Sequence, residues 1–373
     1  MLAKTAARRY FAPMTDAPAT AFDAFVTTAL FDSAGRAIFA LGDGRVMIEA
    51  ADGFEAKTAH DGAVLAAAAH PSGDGVVTGG DDGRLVWTRA GAEPQVLAEA
   101  PGRRIDVGTT STTSGLIAFA AGREVRVLDA ADAAFSRTFQ HEKSVAGLAF
   151  DAKGRRLAAA TYGGAWLWWA RIAEQKPQIM KWAGSHAAVA WSPDGKFLIS
   201  AMQENQLHGW RMADAKDMRM GGYPAKPRSL AFVQKGAALV TSGSHGAVIW
   251  PFVGTNGPMG KEAAEIGHRE DTLVTQVTGA SADGLVAAGL ADGGVWAAKL
   301  GGLKQANLRQ GGGPDQRPGA VGRRRPRGLR RRGRRRRRLR HSGALTPDAR
   351  RLSFSHAGQI ESQAEPQQCA PIA

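Results

Sequence analysis

The stretch Ser185-His-Ala-Ala-Val-Ala-Trp-Ser-Pro-Asp-Gly-Lys-Phe-Leu-Ile-Ser-Ala-Met-Gln-Glu-Asn-Gln-Leu-His-Gly-Trp210 contains three short runs of strand-forming residues separated by two turn signals. The runs are Ala188 to Trp191, Lys196 to Ala201 and Gln206 to Trp210. Ser192-Pro-Asp-Gly195 favours a tight turn, because proline fixes one backbone angle and glycine accepts the conformation that closes it, and Glu204-Asn205 marks a second reversal. The stretch therefore predicts an antiparallel meander.

The same unit recurs along the chain. The glycine of its first turn recurs at steps of 38, 42, 39, 41, 41 and 48 residues, at Gly35, Gly73, Gly115, Gly154, Gly195, Gly236 and Gly284. The second turn recurs with the same period, at Gly44, Gly83, Gly122, Gly164, Asn205, Gly246 and Gly293. A period of about 40 residues made of short strands is typical of an all-β propeller, whose four-stranded antiparallel blades must stack to bury their faces. We expect about seven intact repeats.

These repeats resemble the WD-repeat family, in its bacterial type. Ala190-Trp-Ser-Pro-Asp-Gly-Lys-Phe-Leu-Ile-Ser200 is similar to that family's strand, turn and strand, and His60 with Thr78-Gly-Gly-Asp-Asp-Gly83 is similar to its histidine and second-turn aspartate. The resemblance covers roughly residues 22 to 300, although no Trp-Asp dipeptide occurs. It implies a scaffold on which other proteins or peptides assemble, without catalysis.

Several side chains are expected to serve the repeat itself. His60, His141, His186 and His268 precede the first inner strand of a repeat, where a hydrogen-bonding turn residue is expected. Trp169 and Trp210 fall where the tryptophan of the family's dipeptide would lie. Aspartates of the turns bond nearby backbone NH groups. The structural positions assigned in this way are His60, Asp81, His141, Trp169, His186, Asp194, Trp210 and Asp283.

Length and composition fit one large domain and a tail. The chain has 373 residues, of which 44% are hydrophobic. The sequence predicts an N-terminal segment at 1–21, the propeller at 22–310, and a disordered Arg-rich tail at 311–373. Cys369 is the single cysteine, which excludes a disulfide framework within this sequence and a cysteine zinc site. No stretch of about 18 apolar residues predicts a membrane span. We expect a cytoplasmic protein.

The positive charge is confined to one segment. The formal net charge is +14, but residues 311–340 contain 14 arginines and one acid, Asp315, so the remainder carries only +1. If the tail is genuine, it would bind nucleic acid or an anionic surface through phosphate contacts, for example by Arg323, Arg324, Arg331 and Arg335. It lacks aromatic residues for stacking on bases, so sequence-specific recognition is not expected.

A second interpretation of this segment is a shifted reading frame. The period places the turns of an eighth repeat near positions 325 and 334, inside the arginine run. Asp-Gly turns in GC-rich codons, GAC GGC, read one base early become CGA CGG, which encodes Arg-Arg. We therefore hypothesise that residues from about Asp315 onward are a frame-shifted reading of an eighth repeat.

Motifs for catalysis or cofactor binding are absent from the sequence. No Gly-x-Ser-x-Gly occurs, and the glycine-rich Gly311 to Gly313 lacks the lysine of a phosphate-binding loop. His208 and His245 are scattered, and no His-x-x-x-His or Glu-His pair with the spacing of metal ligands accompanies them. We expect no catalytic, cofactor-binding or metal-binding residue, while an enzymatic or metal-binding propeller stays open as an alternative.

Overall fold

A computed structural model of the chain describes residues 22–280, 284–302 and 305–309. These residues form 26 β-strands and one short 3₁₀ turn, Gln234–Gly236. The N-terminal segment 1–21, the eighth repeat and the tail 311–373 lie outside the described residues. In the part of the chain that the structure describes, no helix is long and apolar enough to cross a membrane.

The strands fall into six antiparallel sheets, five of which have four strands each. The first three repeats are β1–β4 (Val26–Phe31, Ala37–Leu41, Arg45–Ala50, Gly53–Thr58), β5–β8 (Val64–Ala69, Val76–Gly80, Arg84–Thr88, Gln95–Glu99) and β9–β12 (Val107–Ser111, Leu116–Ala121, Glu124–Asp129, Ser136–Gln140). The last two are β19–β22 (Leu230–Val233, Ala238–Thr241, Ala247–Pro251, Ala264–Ile266) and β23–β26 (Val274–Ala280, Leu285–Leu290, Val295–Lys299, Gln305–Arg309). Strands adjacent in sequence pair in each sheet, which confirms the meander.

The remaining sheet has six strands and contains the fourth and fifth predicted repeats. Its strands are β13 (Val145–Phe150), β14 (Arg156–Trp169), β15 (Gln178–Trp191), β16 (Phe197–Met202), β17 (Gln206–Arg211) and β18 (Lys216–Met220). The first half of β14 pairs with β13 and its second half with β15. The second half of β15 pairs with β16. The expected seven repeats therefore lie in six sheets, because the long strands β14 and β15 join the fourth and fifth repeats.

The turn glycines adopt the conformation that the repeat requires. All seven glycines of the first turn have positive φ, between +63° and +93°. Six of the seven second-turn residues also have positive φ, including Asn205 at +53°; Gly246 differs. Residues other than glycine and asparagine rarely adopt positive φ. The backbone geometry of the two turns therefore explains why glycine or asparagine recurs at both positions.

The cores lie between consecutive repeats. Neighbouring residues of a strand point to opposite faces, so Val76 and Val86 pack on the first repeat whereas Val77 and Leu85 pack on the third. Clusters of the same kind join the third repeat to the fourth, the fourth to the fifth, the fifth to the sixth and the sixth to the seventh. This face-to-face stacking of antiparallel sheets confirms the all-β propeller.

Candidate functional site

The histidine of the second repeat is locked into a hydrogen-bonded cluster. His60 Nδ1 donates to the Asp82 carboxylate at 3.0 Å, and Nε2 accepts from the Thr78 hydroxyl at 2.8 Å. Burial lowers the pKa of His60, although Asp82 opposes the shift. Asp82 also accepts from the backbone NH groups of Asp61 and Arg84. The role that the sequence assigned to Asp81 is thus filled by Asp82, and Asp81 is exposed.

This difference between neighbouring aspartates gives a matched test. We expect Asp82→Ala to lower the free energy of unfolding by about 1–3 kcal/mol, because it leaves the buried His60 Nδ1 and two backbone donors without their acceptor. Asp81→Ala should change it by less than about 0.5 kcal/mol, as is usual for an exposed side chain. Urea unfolding of both variants measures this. Equal losses would contradict the assignment to Asp82.

The histidine of the fourth repeat is held by a tryptophan. Trp168 Nε1 donates to His141 Nε2 at 3.0 Å, and His141 Nδ1 donates to the Arg123 carbonyl at 3.2 Å. Burial lowers the pKa of His141. Trp169, to which the sequence gave the tryptophan position, is 50% exposed, and its backbone is held by the Gln175 side chain. The tryptophan that contacts the histidine is therefore Trp168.

His186 belongs to a different position of its repeat. His186 pairs with Met202 at the register position where Val64 and Val145 pair in their own repeats. His60 and His141 lie four residues before those valines. The equivalent residue of the fifth repeat is therefore Trp182, four residues before His186. His186 Nε2 donates to the Trp182 carbonyl at 3.1 Å, and Nδ1 accepts from Ser200 at 2.7 Å. Trp210 is buried beside this histidine, with 5.6 Å between the ring centroids.

The other assigned positions are simpler. Asp194 accepts from the Ser192 hydroxyl at 2.7 Å and from the Lys196 backbone at 3.1 Å, as expected of a turn residue. His268 is half-exposed and contacts Glu265 at 3.0 Å, so it does not repeat the buried arrangement of His60. Asp283, Arg323, Arg324, Arg331 and Arg335 lie outside the described residues.

Three of the buried histidines use both ring nitrogens in hydrogen bonds within the repeats. Both ring nitrogens of His60, His141 and His186 take part in hydrogen bonds within the protein. Burial lowers the pKa of each of these histidines, so their rings are uncharged at neutral pH. Among the residues that the structure describes, no three histidine, cysteine, aspartate or glutamate side chains form a group that could hold a metal ion. These side chains therefore support the repeats.

A candidate binding surface lies instead in the loops. One side of the propeller carries the turns between the second and third strands of each repeat and the connections from each repeat to the next. We call this side the upper face. Consecutive antiparallel strands alternate in direction, so all these loops emerge on one side. Loops on rigid sheets are the usual position of binding residues.

The charges of the upper face are unevenly distributed. In repeats three to six its described loops carry six basic and three acidic residues, namely Arg103, Arg104, Arg123, Lys143, Lys226 and Arg228 against Asp106, Glu142 and Glu204. In repeats seven, one and two they carry one basic and eight acidic residues, namely Arg269 against Glu270, Asp271, Asp292, Asp23, Asp43, Asp61, Asp81 and Asp82. The loops of one side are thus mainly basic and those of the other mainly acidic, with Asp23 and Asp43 paired to Arg45 at the start of β3.

Exposed side chains accompany the basic side. Arg123, Lys143, Lys226 and Arg228 are exposed, and within the described ranges none of them forms a side-chain ion pair. Tyr162, in the second turn of the fourth repeat, is 64% exposed. Tyrosine and arginine are among the residues enriched at protein interfaces, so Tyr162, Arg123 and Arg228 are the side chains of this group best suited to a partner. The sequence-based assignment missed this surface, because the net charge of the whole propeller is close to zero.

Comparison with known proteins agrees with the geometry of the second repeat. The family model described as WD domain, G-beta repeat matches residues 54–87, the segment that contains His60, Thr78 and Asp82. No curated protein matches the chain.

Proposed function

Because the chain is a β-propeller that contains a WD repeat, we propose that it is a non-enzymatic scaffold that binds other proteins or peptides through its upper face. The observation that carries this proposal is the division of that face into a basic and an acidic side. Charged rims of this kind orient a partner and accelerate its association. We infer a partner that presents acidic residues to repeats three to six.

The buried histidines support the non-enzymatic part of the proposal. A general base needs a free nitrogen within reach of substrate, and the nitrogens of His60, His141 and His186 are used within the protein. A rigid stack of sheets that holds many short loops needs no reactive centre to bind a partner. A cytoplasmic location is part of the proposal, since the sequence given offers a single cysteine, Cys369, and therefore no internal disulfide.

Charge reversal on the upper face tests the proposed site. The variant Arg123→Glu, Lys143→Glu, Arg228→Glu replaces three exposed cations of the basic side. A matched control, Lys153→Glu, Lys176→Glu, Lys235→Glu, replaces three exposed cations in loops of the opposite side. Both variants change the net charge equally, so non-specific electrostatic binding falls equally in the two.

We expect the upper-face variant to lose its protein partners while the control keeps them. Reversal of three rim charges should weaken binding about 10-fold to 100-fold, or roughly 1.4–2.8 kcal/mol. The measurement is quantitative mass spectrometry after affinity purification of the three full-length proteins from extract with and without nuclease treatment. All three carry the same arginine run, so that run cannot cause a difference between them.

Two results would contradict the proposal. Equal capture by the parent protein and the upper-face variant would place binding elsewhere. Capture that disappears on nuclease treatment, in all three proteins, would favour the alternative of nucleic-acid binding through the arginine run.

A further inference from the structure

The acidic side of the upper face carries exposed carboxylates that match the exposed cations of its basic side. Three of its acids are held within their own repeats, since Asp23 and Asp43 are paired with Arg45 and Asp82 with His60. Four others are exposed and form no side-chain ion pair in the described part of the chain, namely Asp61, Asp81, Glu270 and Asp271. The upper face therefore offers exposed charges of both signs to a partner.

The boundary between the second and third repeats separates two of these acids from two of the cations. Asp61 precedes β5 and Asp81 lies in the second turn of the second repeat. Arg123 lies in the second turn of the third repeat, and Lys143 lies in the connection from that repeat to the fourth. This boundary is thus acidic on the side of the second repeat and basic on the side of the third.

The boundary between the sixth and seventh repeats is divided in the same way. Lys226 and Arg228 precede β19, the first strand of the sixth repeat. Glu270 and Asp271 precede β23, the first strand of the seventh repeat. The basic side of the upper face therefore begins at one boundary and ends at the other.

A face divided in this way is complementary to a second copy of itself. Consider a two-fold axis that lies in the plane of the upper face and passes through both boundaries. It places two copies with their upper faces in contact, so that the third repeat of one copy faces the second repeat of the other, and the sixth faces the seventh. Basic loops then meet acidic loops at both boundaries, and the symmetry makes each contact twice.

Two exposed aromatic rings agree with the same axis. Phe25, at the start of the first repeat, is 60% exposed, and Tyr162, in the second turn of the fourth repeat, is 64% exposed. The backbone NH of Gly42 donates to the Phe25 carbonyl at 2.8 Å, which places Phe25 beside the second turn of its repeat, on the upper face. The first and fourth repeats each lie one step from the boundary between the second and third. The axis therefore brings Tyr162 of one copy to face Phe25 of the other.

We propose that the upper face binds a second copy of this chain, in a symmetric dimer about this axis. The inference rests on the proposed binding role of the upper face and names a partner for it, the acidic side of the same protein. Exposed ion pairs contribute little singly, so the dimer depends on their number and on the two aromatic contacts. Because any other partner of the basic loops would occupy the same surface, that partner and the second copy exclude each other.

Exchange of charge between the two sides tests the dimer. The upper-face variant used for the capture experiment is acidic on both sides of the face. A second variant, Asp61→Lys, Asp81→Lys, Asp271→Lys, is basic on both sides. The control variant of the opposite side keeps the upper face unchanged. The measurement is sedimentation velocity of the purified, nuclease-treated full-length proteins at an ionic strength of about 50 mM, where exposed charges are only weakly screened.

The parent and the control variant should form dimers. Each of the two variants with a changed upper face should associate at least about 10-fold more weakly, because like charges then face each other. An equimolar mixture of these two should restore the dimer, since every charge again meets its opposite. The basic variant mixed with the control has the same total charge but should not restore it, which separates the dimer from attraction to the arginine run. A monomeric parent, or a mixture that stays monomeric, would overturn the proposal.

Removal of an aromatic ring gives a test that does not depend on charge. Tyr162→Ala should weaken the dimer about 10-fold, because the ring loses its contact with the other copy. Trp169→Ala removes a ring that is 50% exposed at the opposite end of β14 and should leave the dimer unchanged. Equal association of the parent and Tyr162→Ala would overturn the arrangement about this axis.

The outcome is separate from that of the capture experiment, because self-association is measured with the purified protein alone. A monomeric parent that still captures other proteins through its upper face would overturn the dimer and leave the proposed function intact. A dimer that follows the charge exchange, without capture of any other protein, would show that the second copy is the partner of this face.

Discussion

Replacement of Gly44 by alanine is expected to lower the free energy of unfolding by about 3–5 kcal/mol, the largest effect of any single turn substitution proposed for this chain. Gly44 closes the second turn of the first repeat at φ +92°, and its carbonyl accepts from the backbone NH groups of Ala59 and His60. A Cβ atom there would lie 2.2 Å from the His60 carbonyl oxygen and 2.6 Å from that of Gly62. Both obstacles are backbone atoms, so the turn itself must move.

Gly35→Ala is the matched control. Gly35 closes the first turn of the same repeat at φ +79°, but a Cβ atom there would meet no atom within 4 Å. The substitution should therefore cost only the left-handed backbone strain, about 1–2 kcal/mol. Chemical denaturation of both variants measures the difference. Equal losses would show that the contact with His60 and Gly62 is relieved easily.

The turns could be predicted from sequence because their requirement is local. A position that needs positive φ favours glycine whatever surrounds it, so the seven first-turn glycines indicated the period of the repeat. That β14 and β15 join two repeats in one six-stranded sheet was not predictable in this way. The turn at Gly164 is intact, and the shared sheet depends on Tyr162 pairing with Ser185 beyond the repeat.

Side-chain roles were assigned less well, for a reason specific to strands. A shift by one residue moves a side chain to the opposite face, so the choice between Trp168 and Trp169 decides between a buried donor and an exposed ring. His186 has the residue type expected from the family, but it lies four residues after the position that corresponds to His141 in its own repeat. The upper-face charge division depends on which loops share a side, which requires the sheet topology.

Acidification is expected to destabilise the protein, and His208 should contribute the largest single part. His208 is fully buried on β17, its ring stacks on Trp182 with 3.9 Å between centroids, and within the described residues neither ring nitrogen has a hydrogen-bond partner. Burial lowers the pKa of His208 to about 4. Burial also lowers the pKa of His60, His70, His141 and His186.

The direction of the effect follows from proton binding. In the unfolded chain His208 binds a proton below about pH 6.5, the ordinary pKa of histidine. In the folded protein it binds that proton only as the pH approaches 4. Stability is therefore full above about pH 6.5 and falls between pH 6.5 and 4, by about 3 kcal/mol from His208 alone. Urea unfolding at intervals of half a pH unit measures this slope.

The variant His208→Phe isolates that contribution. Phenylalanine keeps a ring that can stack on Trp182 but cannot take up a proton, and it removes two buried nitrogens that have no partner among the described residues. We expect the variant to lose about 3 kcal/mol less than the parent between pH 6.5 and 4, whatever its stability at pH 7. The pH dependence of stability that remains in the variant comes from the other buried histidines and from the carboxylates. An unchanged slope would mean that His208 is solvated or paired in solution, and that the fifth repeat opens at its centre.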